Sequence, residues 1–332
     1  MEKIRNLIVG KTFELPLVVA SATARETKAK KPFLQLELFD GHDTIQGMYW
    51  DWTSGIIPDK NMIVDVTGQV TEYNGTKQLN IKTMRANQTL RISEFAPNSG
   101  IDVEQIYKDA YECTMNVQDT FLRSLTIAVL DALKVRWLEV PGAIKVHHAF
   151  VGGTLLHSLT VGRLACAMSK LIPESNDDLC FVGGLLHDIG KLYTYRMNGV
   201  SIEMTNEGNL YEHVFMGAEF IGNFAEDKPW YNEANDYYKL AILRHIILSH
   251  HGNLEYGSPV LPACLEAHIV SHADGVDASV QQVIEQSRKL GDVMWTDRVY
   301  TLGNRPQLTT QFVRDVFFEE ECAECKLPVR TN

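Results

Sequence analysis

The sequence predicts two domains of different class, a small antiparallel β-barrel followed by an all-α helical domain. Two observations support this division. Apolar and polar residues alternate through the first ninety residues, whereas from residue 102 onward apolar residues recur three or four positions apart. A length of 332 residues also favours two domains over one.

The N-terminal part is rich in β-branched and aromatic residues, which favour strands. Turn signals separate the apolar segments, among them Asp40-Gly41 and the hairpin-type pair Asn74-Gly75. Five short antiparallel strands that close on themselves predict a barrel of the oligonucleotide-binding (OB) type. The expected strands are residues 13–22, 33–39, 44–50, 62–71 and 78–84.

A basic loop between the first two strands is a candidate contact for nucleic acid, because OB barrels often bind oligonucleotides through this loop. It contains Arg25, Lys28, Lys30 and Lys31, and a solvated hairpin tip is an equally good interpretation. Exposed aromatic residues could provide stacking platforms for bases, although most must fill the small core. The aromatic candidates are Phe33, Tyr49, Trp50, Trp52 and Tyr73.

A segment rich in Pro, Gly, Ser and Asn within residues 86–100 has the composition of a linker. Helical periodicity follows it. The expected helices include residues 150–172, 179–188, 209–225, 237–249 and 262–289. We expect a barrel domain at 1–90, a linker at 91–101, a helical domain at 102–300 and a C-terminal tail at 301–332.

Composition and charge exclude several classes of protein. The net charge of −11 argues against a protein that coats nucleic acid, although residues 1–95 are balanced, with 12 Lys+Arg and 11 Asp+Glu. No apolar run approaches the roughly 18 residues that cross a bilayer, and no signal-peptide pattern is present. We expect a cytoplasmic protein with reduced cysteines, in which Cys322 and Cys325 belong to an ordinary tail rather than to half of a zinc site.

Residue types that bind metals recur on apolar helices of the C-terminal part. His157, the pair His187-Asp188 and Asp274 are the first set. A buried imidazole or carboxylate is costly unless it is paired or bound to a cation. Two imidazoles and two carboxylates form a nitrogen and oxygen set that suits Mn, Fe, Co, Ni or Zn.

His213 and His250 indicate two metals rather than one. A second cation could be held by these imidazoles and bridged to the first through Asp188. Two cations about 3.5–4 Å apart promote in-line displacement at phosphorus, since one activates a water and both neutralise charge. Lys191, four residues after His187, would add a cation near the non-bridging oxygens, so we assign catalytic roles to Asp188 and Lys191.

The other histidines have less specific patterns. In a continuous helix, His251 would point about 100° away from His250. Both are therefore ligands only if the helix ends there, as Gly252 permits, and we expect His251 to contact metal or phosphate. His147 and His148 precede a helix and could equally face substrate or cap that helix. Core positions with satisfied hydrogen bonds are expected for His245, His268 and His272.

Together these motifs resemble the HD phosphohydrolase superfamily. The resemblance rests on the runs HHAFVGGTLLHSL (147–159), HDIGK (187–191), EGNLYEH (207–213), LSHHGNLEYGSP (248–259) and ADGVDA (273–278). More narrowly, the chain up to Tyr300 is similar to the bacterial YhaM-type 3′-to-5′ exoribonucleases, which join an OB barrel to an HD domain.

The resemblance implies a Mn-dependent phosphodiesterase that shortens single-stranded RNA from the 3′ end. It leaves open whether single-stranded DNA is also a substrate and whether the protein assembles into a homo-oligomer. Hydrolysis of a free nucleotide or cyclic dinucleotide is the main alternative, and a non-catalytic nucleic-acid-binding factor is less favoured. By the same resemblance, the metal ligands are His157, His187, Asp188, His213, His250 and Asp274.

Overall fold

The structure is a computed structural model that describes residues 3–53, 55–95, 100–144, 148–290 and 293–318, with the side chains of Ser93 and Lys289 left out. His147, Cys322 and Cys325 lie outside the described residues. The chain forms two compact units, Met1–Ser99 with Met197–Ile202 and Gly100–Arg196 with Glu203–Asn332.

The N-terminal unit is a closed five-stranded barrel in the order β1-β2-β3-β5-β4, which confirms the predicted OB-type architecture. One expectation is wrong, because β3 and β5 pair in parallel. A closed ring with an odd number of strands cannot alternate direction throughout, so one pair must run in parallel. The strands are β1 (Thr12–Glu26), β2 (Pro32–Phe39), β3 (Thr44–Tyr49), β4 (Ile63–Tyr73) and β5 (Thr76–Ala86).

Alternate residues of the barrel strands point into its core, as the sequence periodicity predicts. Five of the inward residues on β1 and β2 are at most 2% exposed, which places the apolar pattern on one face of each strand. They are Leu15, Leu17, Leu34, Leu36 and Leu38.

The second unit is predominantly helical, and the long helices lie close to their predicted positions. Polar side chains cap several of them, for example Asn176 at the start of α5 and Thr205 at the start of α7. The helices are α1 (Val103–Met115), α2 (Thr120–Ala132), α3 (Lys134–Glu139), α4 (Gly153–Ser169), α5 (Asp177–Leu186), α6 (Lys191–Thr194), α7 (Asn206–Glu226), α8 (Glu233–Ser249), α9 (Leu265–Leu290) and α10 (Thr310–Phe318).

A short β-hairpin, which the sequence periodicity did not predict, interrupts the helices between α6 and α7. Its strands are β6 (Tyr195–Asn198) and β7 (Ser201–Met204), too short for a clear alternation. The turn dipeptide Asn198-Gly199, with φ of 62° at the glycine, is the signal that could have found it. The tip of this hairpin belongs to the barrel unit, where Val200 is buried in an apolar cluster.

The helical core positions the segments that carry the histidines. Trp137, Leu155, Leu185 and Leu186 are completely buried in it. Helices α4 and α5 approach closely at two glycines, since a Cβ on Gly184 would lie 2.7 Å from a Gly162 atom. None of the described helices is long and apolar enough to cross a membrane.

Candidate metal centre

The structure brings the six predicted ligands, which lie in or directly after five helices, close together. His157 lies in α4, His187 and Asp188 directly follow α5, and Asp274 lies in α9. His213 lies in α7 and His250 directly follows α8. Four of the six are at most 1% exposed, a degree of burial that polar residues tolerate only when they are paired or bind a ligand. These four are His157, His187, Asp188 and His250.

The first cluster combines two imidazoles and two carboxylates. Nε2 of His157 lies 3.1 Å from Nε2 of His187 and 3.1 Å from Oδ1 of Asp274. Oδ2 of Asp188 lies 3.3 Å from each of the two imidazole nitrogens. These four donor atoms converge on one point, as the ligands of a single cation would.

The second cluster lies on the other side of the same carboxylate. Oδ1 of Asp188 is 3.4 Å from Nε2 of His213 and 3.6 Å from Nε2 of His250. The His251 ring centre lies 5.1 Å from that of His213 and 4.3 Å from that of His250. Each oxygen of Asp188 therefore faces its own set of histidines.

Three buried atoms of the second cluster show that it fits a cation. Oδ1 of Asp188, Nε2 of His213 and Nε2 of His250 have no hydrogen-bond partner among the described residues. An unsatisfied buried polar atom costs about 1–3 kcal/mol. A divalent cation bound between them would satisfy all three, because each presents a lone pair to the same space.

Backbone and carboxylate acceptors fix the orientation of the imidazoles. Nδ1–H of His187 donates to the carbonyl of Gly184 and Nδ1–H of His250 to that of Ile247, both at 2.7 Å. Their Nε2 atoms are thereby left as acceptors that face the clusters.

Asp277 supports His157 in the same way, and the sequence reasoning assigned it no role. Its Oδ2 accepts from Nδ1 of His157 at 2.6 Å and from Nε2 of His148 at 2.8 Å. A carboxylate three residues after Asp274 lies on the same helix face, which is the signal that could have identified it. His148 is 1% exposed, so its placement favours support of this network, and contact with substrate stays a prediction.

The charges of the site match those of a cation-binding centre. Burial lowers the pKa of His213 to about 3 and that of His250 well below its usual value, so both imidazoles are neutral and able to ligate. Burial alone would raise the pKa of Asp188, but Lys191 and His187 hold it well below its usual range. Nζ of Lys191 lies 2.7 Å from Oδ2 of Asp188, which raises the lysine pKa despite burial.

Backbone features explain how His213 and His251 reach the site. Helix α7 is kinked at Glu212, whose φ and ψ of 59° and 155° are not helical. Helix α8 ends at Ser249, and Gly252, with φ of 75°, turns the chain as expected, so that His250 and His251 lie on the same side.

The glycine of the HDIGK motif is required by close packing. A Cβ on Gly190 would overlap the carbonyl oxygen of His213, so Gly190→Ala should displace this ligand. We expect Gly190→Ala to lower the free energy of unfolding by about 1–3 kcal/mol and to reduce the amount of divalent metal bound per chain. Thermal unfolding and metal analysis measure both effects. Gly275→Ala is the matched control, because a Cβ at Gly275 meets no atom within 4 Å, and equal behaviour of the two variants would contradict the expectation.

The expectation that His268 and His272 belong to the core is wrong. Both are exposed on α9, whose buried side is formed instead by Ala267, Val270 and Ala273. The apolar stripe is turned about 100° or more from the two imidazoles. His245 accepts a hydrogen bond from the backbone N–H at residue 263, as expected, but it is half-buried rather than in the core.

A cavity of about 770 Å³ opens onto the two clusters. The predicted ligands His157, Asp188, His250 and Asp274 line it, as does Lys191. The rest is lined by polar and apolar residues, among them His251, Asn253, Tyr256, His268, Ser271, His272 and Thr301.

The predicted nucleic-acid contacts on the barrel are accessible. Arg25, Lys28, Lys30 and Lys31 are exposed. Nζ of Lys31 lies 3.2 Å from Oδ1 of Asp51.

The aromatic candidates on the barrel divide into exposed and buried residues. Trp50 and Tyr73 are 38% and 66% exposed, whereas Phe33 and Trp52 are each 8% exposed and Tyr49 is half-buried. The Trp50 ring packs against Phe33 with ring centres 4.5 Å apart and ring planes 33° from parallel, which helps to hold one exposed ring in place.

Comparisons with known proteins agree with this architecture. The HD domain family model matches residues 154–279. A 3′-5′ exoribonuclease YhaM of Listeria welshimeri is 32% identical over 312 residues, covering 92% of this chain and 97% of the relative. That of Oceanobacillus iheyensis is 30% identical over 305 residues, covering 90% and 93%.

Among solved structures, a domain of replication protein A from Methanococcus maripaludis aligns with a TM-score of 0.23 and 22% identity. It covers 26% of this chain and 92% of that domain. The assignment of the barrel rests on its strand order instead. From the long matches to the Listeria and Oceanobacillus proteins, we conclude that this chain belongs to the YhaM family of HD-domain proteins.

Proposed function

We propose that this protein is a metal-dependent 3′-5′ exoribonuclease that degrades single-stranded RNA. The observation that carries the proposal is the pair of ligand clusters that share Asp188, at the base of a cavity. The name of the family members and the HD domain match support a hydrolase that cleaves phosphodiester bonds.

Two divalent cations would be held by residues of known position. His157, His187 and Asp274 would hold one, His213 and His250 the other, and Asp188 both. Bound cations supply an activated water and neutralise charge on the transferring phosphoryl group. We propose Mn by family resemblance, and the mixed nitrogen and oxygen ligands would also accept Fe, Co, Ni or Zn.

Lys191 acts beside the shared carboxylate. Its ammonium lies 2.7 Å from Asp188 and faces the cavity, where it can donate to a non-bridging phosphate oxygen. A fixed positive charge in a largely buried site stabilises the charge that develops during phosphoryl transfer.

The barrel supplies features of single-strand binding. Exposed Trp50 offers a ring face for stacking, and the basic loop offers contacts to phosphates. Neither feature reads the ribose 2′-hydroxyl, so we propose single-stranded DNA as a second substrate.

Purified protein with Mn and RNA labelled at its 5′ end tests the proposal. We expect a ladder of products that shorten one nucleotide at a time from the 3′ end, and no products with chelator. RNA that stays intact would reject the proposal. Cleavage of a cyclic dinucleotide without cleavage of RNA would support the alternative, for which a cavity in the size range of small-ligand sites is the favouring observation.

Loss of charge from the β1–β2 loop should weaken RNA binding. In the Lys28→Ala, Lys30→Ala double variant, the slope of log affinity against log salt should fall by about 0.7 per lysine, because each phosphate contact releases counterions. Fluorescence anisotropy with single-stranded RNA in chelator measures it. Lys108 and Lys170, exposed in the helical unit, give the matched double variant. An unchanged slope would mean that RNA does not bind at the β1–β2 loop.

A further inference from the structure

The cavity is lined by two histidines that the proposed metal centre does not use. His268 and His272 are four residues apart on α9, so their side chains project from the same face of the helix. Both are exposed and both line the cavity that contains Asp188 and Asp274. A core role does not explain them, because neither is buried.

The cavity has few cationic side chains, which indicates a binding role for these imidazoles. Lys191 is the sole Lys or Arg among the described residues that line the cavity, and Asp188 pairs with it at 2.7 Å. A polyanionic strand in the cavity therefore needs other donors. Each imidazole carries at least one N–H that can donate to a phosphate oxygen, and Ser271 and Asn253 add neutral donors nearby.

His272 and His268 lie at increasing distance from Asp274 along the axis of α9, and all three residues line the same cavity. His272 precedes Asp274 by two residues and His268 precedes it by six, which is about 3 Å and about 9 Å along the helix axis. The cavity volume of about 770 Å³ is also more than a single phosphate group occupies. There is room for a nucleotide next to the one being released.

We infer that His268 and His272 form a subsite for the phosphodiester on the 5′ side of the scissile bond. The inference rests on the proposed exoribonuclease function and identifies the part of the substrate that His268 and His272 bind. Both imidazoles donate hydrogen bonds to non-bridging oxygens, with no proton transfer, so they position the strand and take no part in bond cleavage.

Substrates of different length test the subsite. A dinucleotide has only the scissile phosphodiester, whereas a trinucleotide has one more on the 5′ side. The wild-type protein should cleave the trinucleotide with the higher kcat/KM. His268→Ala and His272→Ala should each lower kcat/KM for the trinucleotide about tenfold, the equivalent of roughly one charge-assisted hydrogen bond, mainly through KM, and leave the dinucleotide value unchanged.

Two further variants serve as controls. His268→Gln keeps an N–H donor and should restore part of the preference for the longer substrate. His42→Ala removes an exposed imidazole from the β2–β3 loop and should behave as wild type. Equal losses on both substrates would mean a general structural role, and no loss on either would mean no contact, so both results would overturn the inference.

Binding separates failure of this inference from failure of the proposed function. If the wild-type protein cleaves no RNA, the proposed function fails, and binding of phosphorothioate dinucleotide and trinucleotide in Mn still decides the subsite. A preference for the trinucleotide that His268→Ala and His272→Ala remove supports it. If the wild-type protein and both variants prefer the trinucleotide over the dinucleotide to the same degree, the subsite is rejected. Normal cleavage with unchanged length preference in the variants rejects the subsite alone.

Discussion

Asp188→Asn should abolish metal binding in both clusters and lower kcat on RNA by more than roughly 10³-fold. The reason is geometric, because one oxygen of Asp188 faces His157 and His187 and the other faces His213 and His250. The amide removes the negative charge and turns one acceptor into a donor. Metal analysis should find a decrease from two cations per chain to none.

Single-cluster variants make this prediction specific to the shared carboxylate. Asp274→Asn should lose the cation of the first cluster alone, and His213→Ala that of the second alone. Asp131→Asn, an exposed carboxylate on α2, is the matched control and should keep both metals and full activity. An Asp188→Asn protein that retained one cation would show that Asp188 does not bridge.

Asp277→Asn should weaken Mn binding about 10- to 100-fold, the usual effect of losing an outer hydrogen bond to a metal-binding histidine. Burial alone would raise the pKa of Asp277. Hydrogen bonds from His148 and His157 outweigh burial and hold that pKa well below its usual range. The carboxylate is therefore charged and orients His157 through a 2.6 Å hydrogen bond. With asparagine, His157 loses its charged acceptor.

Titration of activity with Mn measures the effect. Because every direct ligand remains, excess Mn should restore kcat in Asp277→Asn, whereas Asp188→Asn should stay inactive at any Mn concentration. Wild-type Mn dependence in Asp277→Asn would contradict a positioning role. Thermal unfolding should also show that Asp277→Asn lowers stability, because the buried pair of His157 and residue 277 loses the carboxylate charge.

Periodicity predicted much of the fold, because it reports directly which face of an element is buried. The alternation in β1 and β2 gave the barrel, and the recurring apolar positions gave α7, α8 and α9 within a few residues. It failed where an element is too short to show a period, as in the hairpin of β6 and β7. Periodicity also does not determine how strands pair. The parallel β3–β5 pair is explained instead by the closure of a ring with an odd number of strands.

The sequence predicted which residues cluster at the candidate metal centre, and it predicted their surroundings less well. Asp188 and His250 stood out because polar residues in apolar helices need partners. His268 and His272 were misplaced because a helical stripe fixes spacing but not which side of the helix meets the cavity. Asp277 was missed because its role depends on His148 and His157, more than a hundred residues away.

The kink at Glu212 predicts a link between metal binding and the local stability of α7. A non-glycine residue with φ of 59° and ψ of 155° holds about 1–3 kcal/mol of backbone strain. His213 follows it directly, so a cation bound to that imidazole would help to hold the strained turn in place. The first turns of α7 should therefore open first when the metal is removed, and their amide hydrogens should exchange with solvent earlier than those of α4 or α5.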